Sequence, residues 1–471
     1  MSYRTPTSRS TRRPGAVIAA GIACALCLIP ASTATAAPNP PISPGAAVAT
    51  AEFRGDLPQG GRYVLYAPSR WNGTALIWNP GYGGGAGTEP AAAPSDGLRR
   101  WLLDQGYAVA GTTAATGGWA VEELIANQPA VAAVIEENLG EPESVIAWGA
   151  SMGGLTSVAS MEAYPAEVDA ALPLCGSVAG AVPMLNGSLD GAFILKMLLA
   201  PDDPRLELVN VTNEQARQAA FRQVLDEAQA TPAGRARIAL AAAVAQIPGW
   251  TQPQDPRPSP KDYAAQQQQM YSAFMFGVVS PRQPLEERAG GNFSWNTGVD
   301  YAGSLSRSGN SKLVRDLYSQ AGISLKEDLK TLAASDRITA DPGALAYMQA
   351  NATPRGELSG PVLTLHEIGD TAPTVTQAGT YASRVRANGD NRLLRQAFVD
   401  RPGHCVYADS EVAAAVTSLQ RRLETGRWAN LAHPAALNRL ADTIAEESGL
   451  GRGGSFVSYK PSEMLRGERG N

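Results

Sequence analysis

Residues Ser144–Met161 read SVIAWGASMGGLTSVASM, and this stretch decides the fold. Val145-Ile146-Ala147-Trp148 is a short apolar run of the kind a strand buried on both faces requires. Leu155–Met161 is compatible with a helix. Between them lies Gly149-Ala150-Ser151-Met152-Gly153-Gly154, the one G-x-S-x-G match in the chain. A serine between a buried strand and a helix sits on a sharp turn that pushes its hydroxyl out above the sheet edge. The flanking glycines let neighbouring backbones approach. The helix start presents N–H groups and partial positive charge beside it, which suits an oxyanion forming on a carbonyl.

Working outward, strand-like runs recur at Tyr63–Ala67, Ala75–Trp78, Tyr107–Gly111, Ala170–Leu174, Pro361–His366 and Leu394–Val399. Helical stretches separate most of them: 96–105, 120–138 with Pro129 inside, 151–164, and 410–425 capped by Asp409 or Ser410. This alternation predicts an α/β fold with a mostly parallel sheet covered on both faces. It breaks between 182 and 358, where the chain reads helical and irregular. Helices are expected at 213–230, 234–245, 260–275, 311–320 and 324–334, and the run Gln266–Gln269 is expected on a solvated face. The domain reading is therefore a core of 51–181 and 359–425, a helical cap of 182–358, and a C-terminal extension of 426–471.

A serine needs a base, and the chain holds three histidines, His366, His404 and His433. His404 follows the strand Leu394–Val399 and precedes a helix, at the strand end where parallel-sheet proteins place their sites. His366 lies within a strand, as a packing residue would, and His433 lies in the extension. The base needs an orienting carboxylate. Asp370 follows the strand ending at His366, in a Gly-containing turn, and gives the chain order nucleophile, acid, base; Glu367 and Asp400 are the alternatives. The oxyanion donors are expected to be the N–H of Met152, next after the serine, and that of Tyr82. The latter lies in the loop Asn79-Pro80-Gly81-Tyr82-Gly83-Gly84-Gly85.

The chain has 471 residues, 44% of them hydrophobic and 18% charged, which excludes a collagen, a coiled coil and a wholly disordered protein. Residues 1–37 have the pattern of a secretory signal: Arg4, Arg9, Arg12 and Arg13, an apolar run from 15 to 29, and a small-residue cleavage site near Ala36/Ala37. Arg12-Arg13 leaves a twin-arginine route open. Losing these four arginines takes the formal charge from −5 to −9. An acidic chain is a poor match for nucleic acid. The apolar run is too short to serve as a stable membrane anchor, so a secreted protein is expected, with 38–50 as a disordered leader.

At Gly149–Gly153, the Asp370 turn and His404 the chain resembles the α/β-hydrolase family, over about 60–182 and 359–425. The resemblance implies an eight-stranded, mostly parallel sheet with a cap inserted between the sixth and seventh strands. It also implies serine-hydrolase chemistry with no metal and no organic cofactor. Many members carry His-Gly where this chain has Asn79-Pro80-Gly81-Tyr82. His404-Cys405 also looks like the His-Cys pair of tannases and feruloyl esterases. There the partner cysteine directly precedes the serine, whereas here Ala150 does, so aromatic-ester specificity is not carried over. Cys175 ends the strand Ala170–Leu174 and offers another partner. A Cys175–Cys405 disulfide is expected, with two buried free thiols as the alternative. The resulting expectation is a secreted serine hydrolase of small or polymeric carboxylic esters, with a peptidase, amidase or acyltransferase as the second reading. Trp250, Tyr271, Phe274, Phe276, Trp295 and Tyr301 either line its cleft or form the core of the cap.

Overall fold

The computed structural model describes residues 51–85 and 87–466. The signal sequence, its cleavage site and the leader lie outside the described residues. The amino-terminal half alternates strands and helices: β1 (Ala51–Asp56), β2 (Arg62–Ala67), β3 (Thr74–Asn79), α1 (Asp96–Asp104), β4 (Ala108–Thr112), α2 (Val121–Leu139), β5 (Ser144–Ala150), α3 (Met152–Ala163) and β6 (Ala170–Leu174). Nine helices follow before the next strand: α4 (Ala181–Leu199), α5 (Glu214–Gln229), α6 (Pro232–Val244), α7 (Tyr263–Val278), α8 (Gln283–Ala289), α9 (Tyr301–Arg307), α10 (Ser311–Gln320), α11 (Leu325–Ala334) and α12 (Pro342–Asn351). The alternation then resumes with β7 (Val362–Gly369), α13 (Thr376–Ala387), β8 (Leu394–Pro402), α14 (Asp409–Thr425), α15 (Pro434–Ser448) and β9 (Phe456–Val457).

The strands form one sheet in the order β1-β2-β4-β3-β5-β6-β7-β8-β9. β3 to β8 run parallel, while β1, β2 and β9 are antiparallel. The parallel strands β3, β4, β6 and β7 are buried along their whole length. That is why they read as unbroken apolar runs. Among the described residues the sheet has nine strands where the resemblance implies eight. The edge strands β1 and β9 are the two with no counterpart among the seven strand-like runs of the sequence: β1 is mostly exposed, and β9 is two residues long. β1 lacks the apolar signal of a buried strand, and β9, although Phe456 is buried, is too short to show a pattern.

The insertion between β6 and β7 has its own apolar core. Phe193, Phe221, Ile238, Leu240, Phe274 and Tyr318 are buried together within it. α4 is long and apolar, yet two-thirds of it is buried against its neighbours. Half of the glutamine run departs from the solvated face expected of it, while Gln268 is exposed and Gln266 half-buried. Gln267 and Gln269 are buried. Gln269 accepts from Thr251 N–H at 2.8 Å and Gln252 N–H at 2.9 Å, and it donates to Asp255 at 2.6 Å. Gln267 donates to Gln229 at 2.8 Å. A primary amide is both donor and acceptor, so it can satisfy loop backbone inside a helical layer. The cap of α14 also differs from expectation. The helix starts at Asp409, and Glu411 reaches back to accept Ala408 N–H at 2.8 Å. Ser410 instead donates to the Arg452 carbonyl.

Candidate active site

Five adjacent parallel strands bring their carboxyl ends to one rim. Asn79 ends β3, Ser151 follows β5, Cys175 follows β6, Asp370 follows β7, and His404 lies two residues beyond β8. Residues separated by up to 325 positions in sequence thus meet because their strands are neighbours in register.

Ser151 has φ 59° and ψ −118°, a conformation that costs a non-glycine residue energy and persists only where its surroundings enforce it. The enforcement is visible. Ser151 N–H donates to the Leu174 carbonyl at 2.9 Å. A Cβ on Gly153 would lie 2.0 Å from the Asn79 carbonyl oxygen, and one on Gly149 2.5 Å from it, so no larger residue fits at either position. The loop after β3 lies in van der Waals contact with the turn, with the Gly81 Cβ position 3.4 Å from the Ala150 carbonyl oxygen and 3.8 Å from Ser151 Cβ. Asn79 anchors that loop. Its buried amide donates to the Trp148 carbonyl at 3.3 Å and accepts from Gln128 at 2.9 Å. Tyr82 follows Gly81 in this loop. Met152 opens α3, where backbone N–H groups have no partner within the helix.

Asp370 is fully buried and accepts from His404 Nδ1 at 2.9 Å and 3.0 Å. A carboxylate can only accept, so Nδ1 carries the imidazole proton and Nε2 keeps its lone pair. Ala372 N–H donates to the same carboxylate at 3.1 Å. The sulfur of Cys405 lies 3.4 Å from His404 Nε2. The Cys175–Cys405 disulfide is present, with 5.4 Å between Cα atoms. It ties the His404 loop to the residue after Leu174, the residue that fixes Ser151. Cys175 (φ 44°) and Cys405 (φ 56°) share the left-handed backbone of Ser151. The two sulfurs and His404 cluster closely enough to suggest a metal site. Both thiolates that would hold a soft cation are consumed in the S–S bond.

The structure also locates the alternatives. Asp400 pairs with Arg257 at 2.9 Å on the surface. His433 is exposed and caps α15. His366 is buried, with Nε2 3.1 Å from the Pro373 carbonyl and 3.6 Å from Asp370. Burial holds its pKa below the usual value, so it sits neutral beneath the acid. Glu367 is buried and braces the base loop, taking Val406 N–H and contacting the Tyr407 hydroxyl. Burial, and then the Asp370 charge, push its carboxyl well above the ordinary range. Of the six cap aromatics, Phe274, Trp295 and Tyr301 are core, and Phe276 contacts the His404 ring in a tilted arrangement with centroids 5.4 Å apart. Gln128 on α2 and Tyr407 in the loop after β8 had no role in the sequence reading, and Glu367, weighed there as an orienting carboxylate, instead contacts Val406 and Tyr407.

No family model matches the chain. The chain is 33% identical over 450 residues to o-phthalyl amidase from Xanthobacter agilis, covering 88% of this chain and 96% of that protein. Among solved structures, it is similar to the rice cell wall degrading esterase LipA from Xanthomonas oryzae (15% identity, 77% of this chain and 83% of that one, TM-score 0.31). It is also similar to feruloyl esterase B from Aspergillus oryzae (14% identity, 80% of each chain, TM-score 0.34).

Proposed function

The chain belongs to the α/β-hydrolase family and is a hydrolase, and on that premise we propose that it is a secreted serine hydrolase working through Ser151, His404 and Asp370. Ser151 attacks a carboxylic acyl carbon while His404 Nε2 takes the hydroxyl proton. Asp370 holds the imidazole tautomer and stabilises the imidazolium that forms. The oxyanion lies against Met152 N–H and Tyr82 N–H, donors fixed before the reaction begins. His404 then protonates the leaving group, and water releases the acyl chain from Ser151 by the same steps in reverse.

The observation that carries this reading is the hydrogen bond from His404 to the buried Asp370, with the disulfide-pinned imidazole at the same rim as the strained serine turn. Esters come first on the residues alone. The amide reading now stands ahead of them, because a relative aligned over most of both chains is named as an amidase. An acyl-enzyme route serves both bonds, so ester cleavage is expected beside amide cleavage. Export is supported by the residue 1–37 pattern and by the disulfide, since such bonds persist in oxidising compartments.

The test is a matched pair, an aryl carboxamide and the corresponding ester, assayed with pure protein. Ser151→Ala should lower kcat on both by at least about 10³-fold. Turnover by Ser151→Ala near the parent rate overturns the triad, and ester turnover with no amide turnover returns the reading to an esterase.

A further inference from the structure

The loop that carries Tyr82 leans on a second loop, the one joining β4 to α2. Residues 81–85 close on themselves: Gly84 N–H donates to the Gly81 carbonyl at 3.1 Å, and Gly85 N–H to the Gly83 carbonyl at 3.0 Å. A displacement at Gly85 is therefore passed to Tyr82 and Gly81, the latter in contact with the Ser151 turn. A Cβ on Gly85 would sit 2.0 Å from the Thr116 carbonyl oxygen and 2.7 Å from Gly117 Cα, so the two backbones meet with no side chain between them. The Tyr82 ring packs beside the same loop, 3.7 Å from the Gly118 Cβ position and with its centroid 6.1 Å from that of Trp119.

Thr116 is in turn held from the insertion. Arg288 of α8 donates to the Thr116 hydroxyl, to Glu122, and to Glu123 at 2.9 Å. Glu123 accepts the Thr116 N–H at 2.9 Å and the Thr116 hydroxyl. Tyr347 of α12 donates to Glu122 at 2.6 Å. One carboxylate thus takes both donors of Thr116, and a guanidinium from 172 positions later in the chain closes the ring. The planar fork of arginine suits this, because it reaches several acceptors from one fixed geometry. The Arg288 and Glu123 side chains are only 17% and 19% exposed, which sets the pair apart from a loose surface contact. Burial alone would raise the Glu123 carboxyl; the bonds from Thr116 and Arg288 outweigh it and hold the group below its ordinary range.

We propose that Arg288 and Thr116 are positioning residues for the oxyanion: through Gly85 they hold the 81–85 turn where the Tyr82 N–H meets the charge that develops on the substrate. The proposal rests on the serine-hydrolase reading above and adds to it a dependence of the chemical step on the docked insertion. An oxyanion donor contributes most when it is fixed before the charge appears. A displacement on the order of 1 Å can cost about 10²-fold in rate. The uncharged ground-state carbonyl makes a weaker demand on the same donor, so the loss falls on kcat and spares KM.

The deciding experiment measures kcat and KM on whichever of the aryl carboxamide and its ester the protein turns over, with thermal melts alongside. Thr116→Val keeps the side-chain shape and removes the hydroxyl; kcat should fall about 5- to 50-fold, with KM within about twofold of the parent. Thr116→Ser, which retains the hydroxyl, should rescue kcat to within about twofold. Arg288→Met should lower kcat by a factor similar to that of Thr116→Val. The double variant should lose little more than the worse single one, because both cut the same link. A Thr116→Val kcat near the parent value, an equal loss in Thr116→Ser, a loss carried by KM alone, or fully multiplicative losses in the double variant overturns the proposal. Should melts show Arg288→Met unfolded at the assay temperature, the Thr116 pair decides alone. Turnover by Ser151→Ala in the same assay would overturn the triad and this proposal together, whereas an inactive Ser151→Ala beside an unimpaired Thr116→Val overturns this proposal only.

Discussion

Glu367 shows how one proton can organise a loop. Its carboxyl receives Val406 N–H, and it meets a Tyr407 hydroxyl that also lies 2.9 Å from the Leu365 carbonyl. Tyrosine has a single proton, and the carbonyl can only accept. With Glu367 protonated, its own O–H donates to Tyr407, and the phenol donates onward to Leu365, so every group is satisfied. The raised carboxyl pKa agrees with this inventory. The folded pKa lies above the ordinary 4.5, so the stabilisation is complete below about pH 4.5 and is lost as pH rises through the folded value. Glu367→Gln keeps a donor and an acceptor without the titration. Its Tm relative to the parent should therefore rise with pH, by about 2–4 °C between pH 5 and 8. A pH-independent difference in thermal melts would refute the protonated brace.

At the scale of elements, the His404 loop depends on the disulfide to β6. The bond closes 230 residues, for which chain entropy gives about 5 kcal/mol as an upper value. Cys405→Ser should lower stability by about 2–5 kcal/mol in denaturant melts and depress kcat further, because the imidazole loses its sulfur contact. Unchanged stability and kcat would mean that the hydrogen bond to Asp370 alone positions the base. The strand ends around this loop were readable because buried parallel strands are mainly apolar. The positions of the Ser151 turn, of Asp370 after β7 and of His404 after β8 follow from those strands. Other elements left no such mark. The edge strand β1 buries too little to pattern its residues, and β9 is only two residues long. Gln267 and Gln269 were unreadable as buried groups because their partners, Gln229 and the 251–252 backbone, are brought to them by tertiary packing alone. The proximity of Phe276 to His404 is of the same kind, since it joins an inserted helix to a loop more than a hundred residues later.

At the scale of the molecule, the C-terminal segment straps the insertion to the sheet layer. Met464 N–H donates to Thr380 of α13 at 2.8 Å, and Leu465 N–H to Gln246 after α6 at 2.8 Å. Arg466 enters the insertion core, donating to Asp190 of α4 and to the Trp295 carbonyl, each at 2.6 Å. Burial raises the Asp190 carboxyl to about 6 even with that partner. Arg466→Ala removes one half of a buried pair and should cost about 3–5 kcal/mol, partly recovered by adding Asp190→Asn. A single-variant loss under about 1 kcal/mol in denaturant melts would show that the strap holds nothing. The strap, the disulfide and the strand register together serve one claim, that Ser151 is an activated nucleophile. Covalent labelling by a fluorophosphonate, located by peptide mass mapping, tests that claim most directly. An activated Ser151 is modified stoichiometrically, and the modification falls by orders of magnitude in His404→Ala; labelling at another residue, or none in protein that still hydrolyses its substrate, would refute the claim.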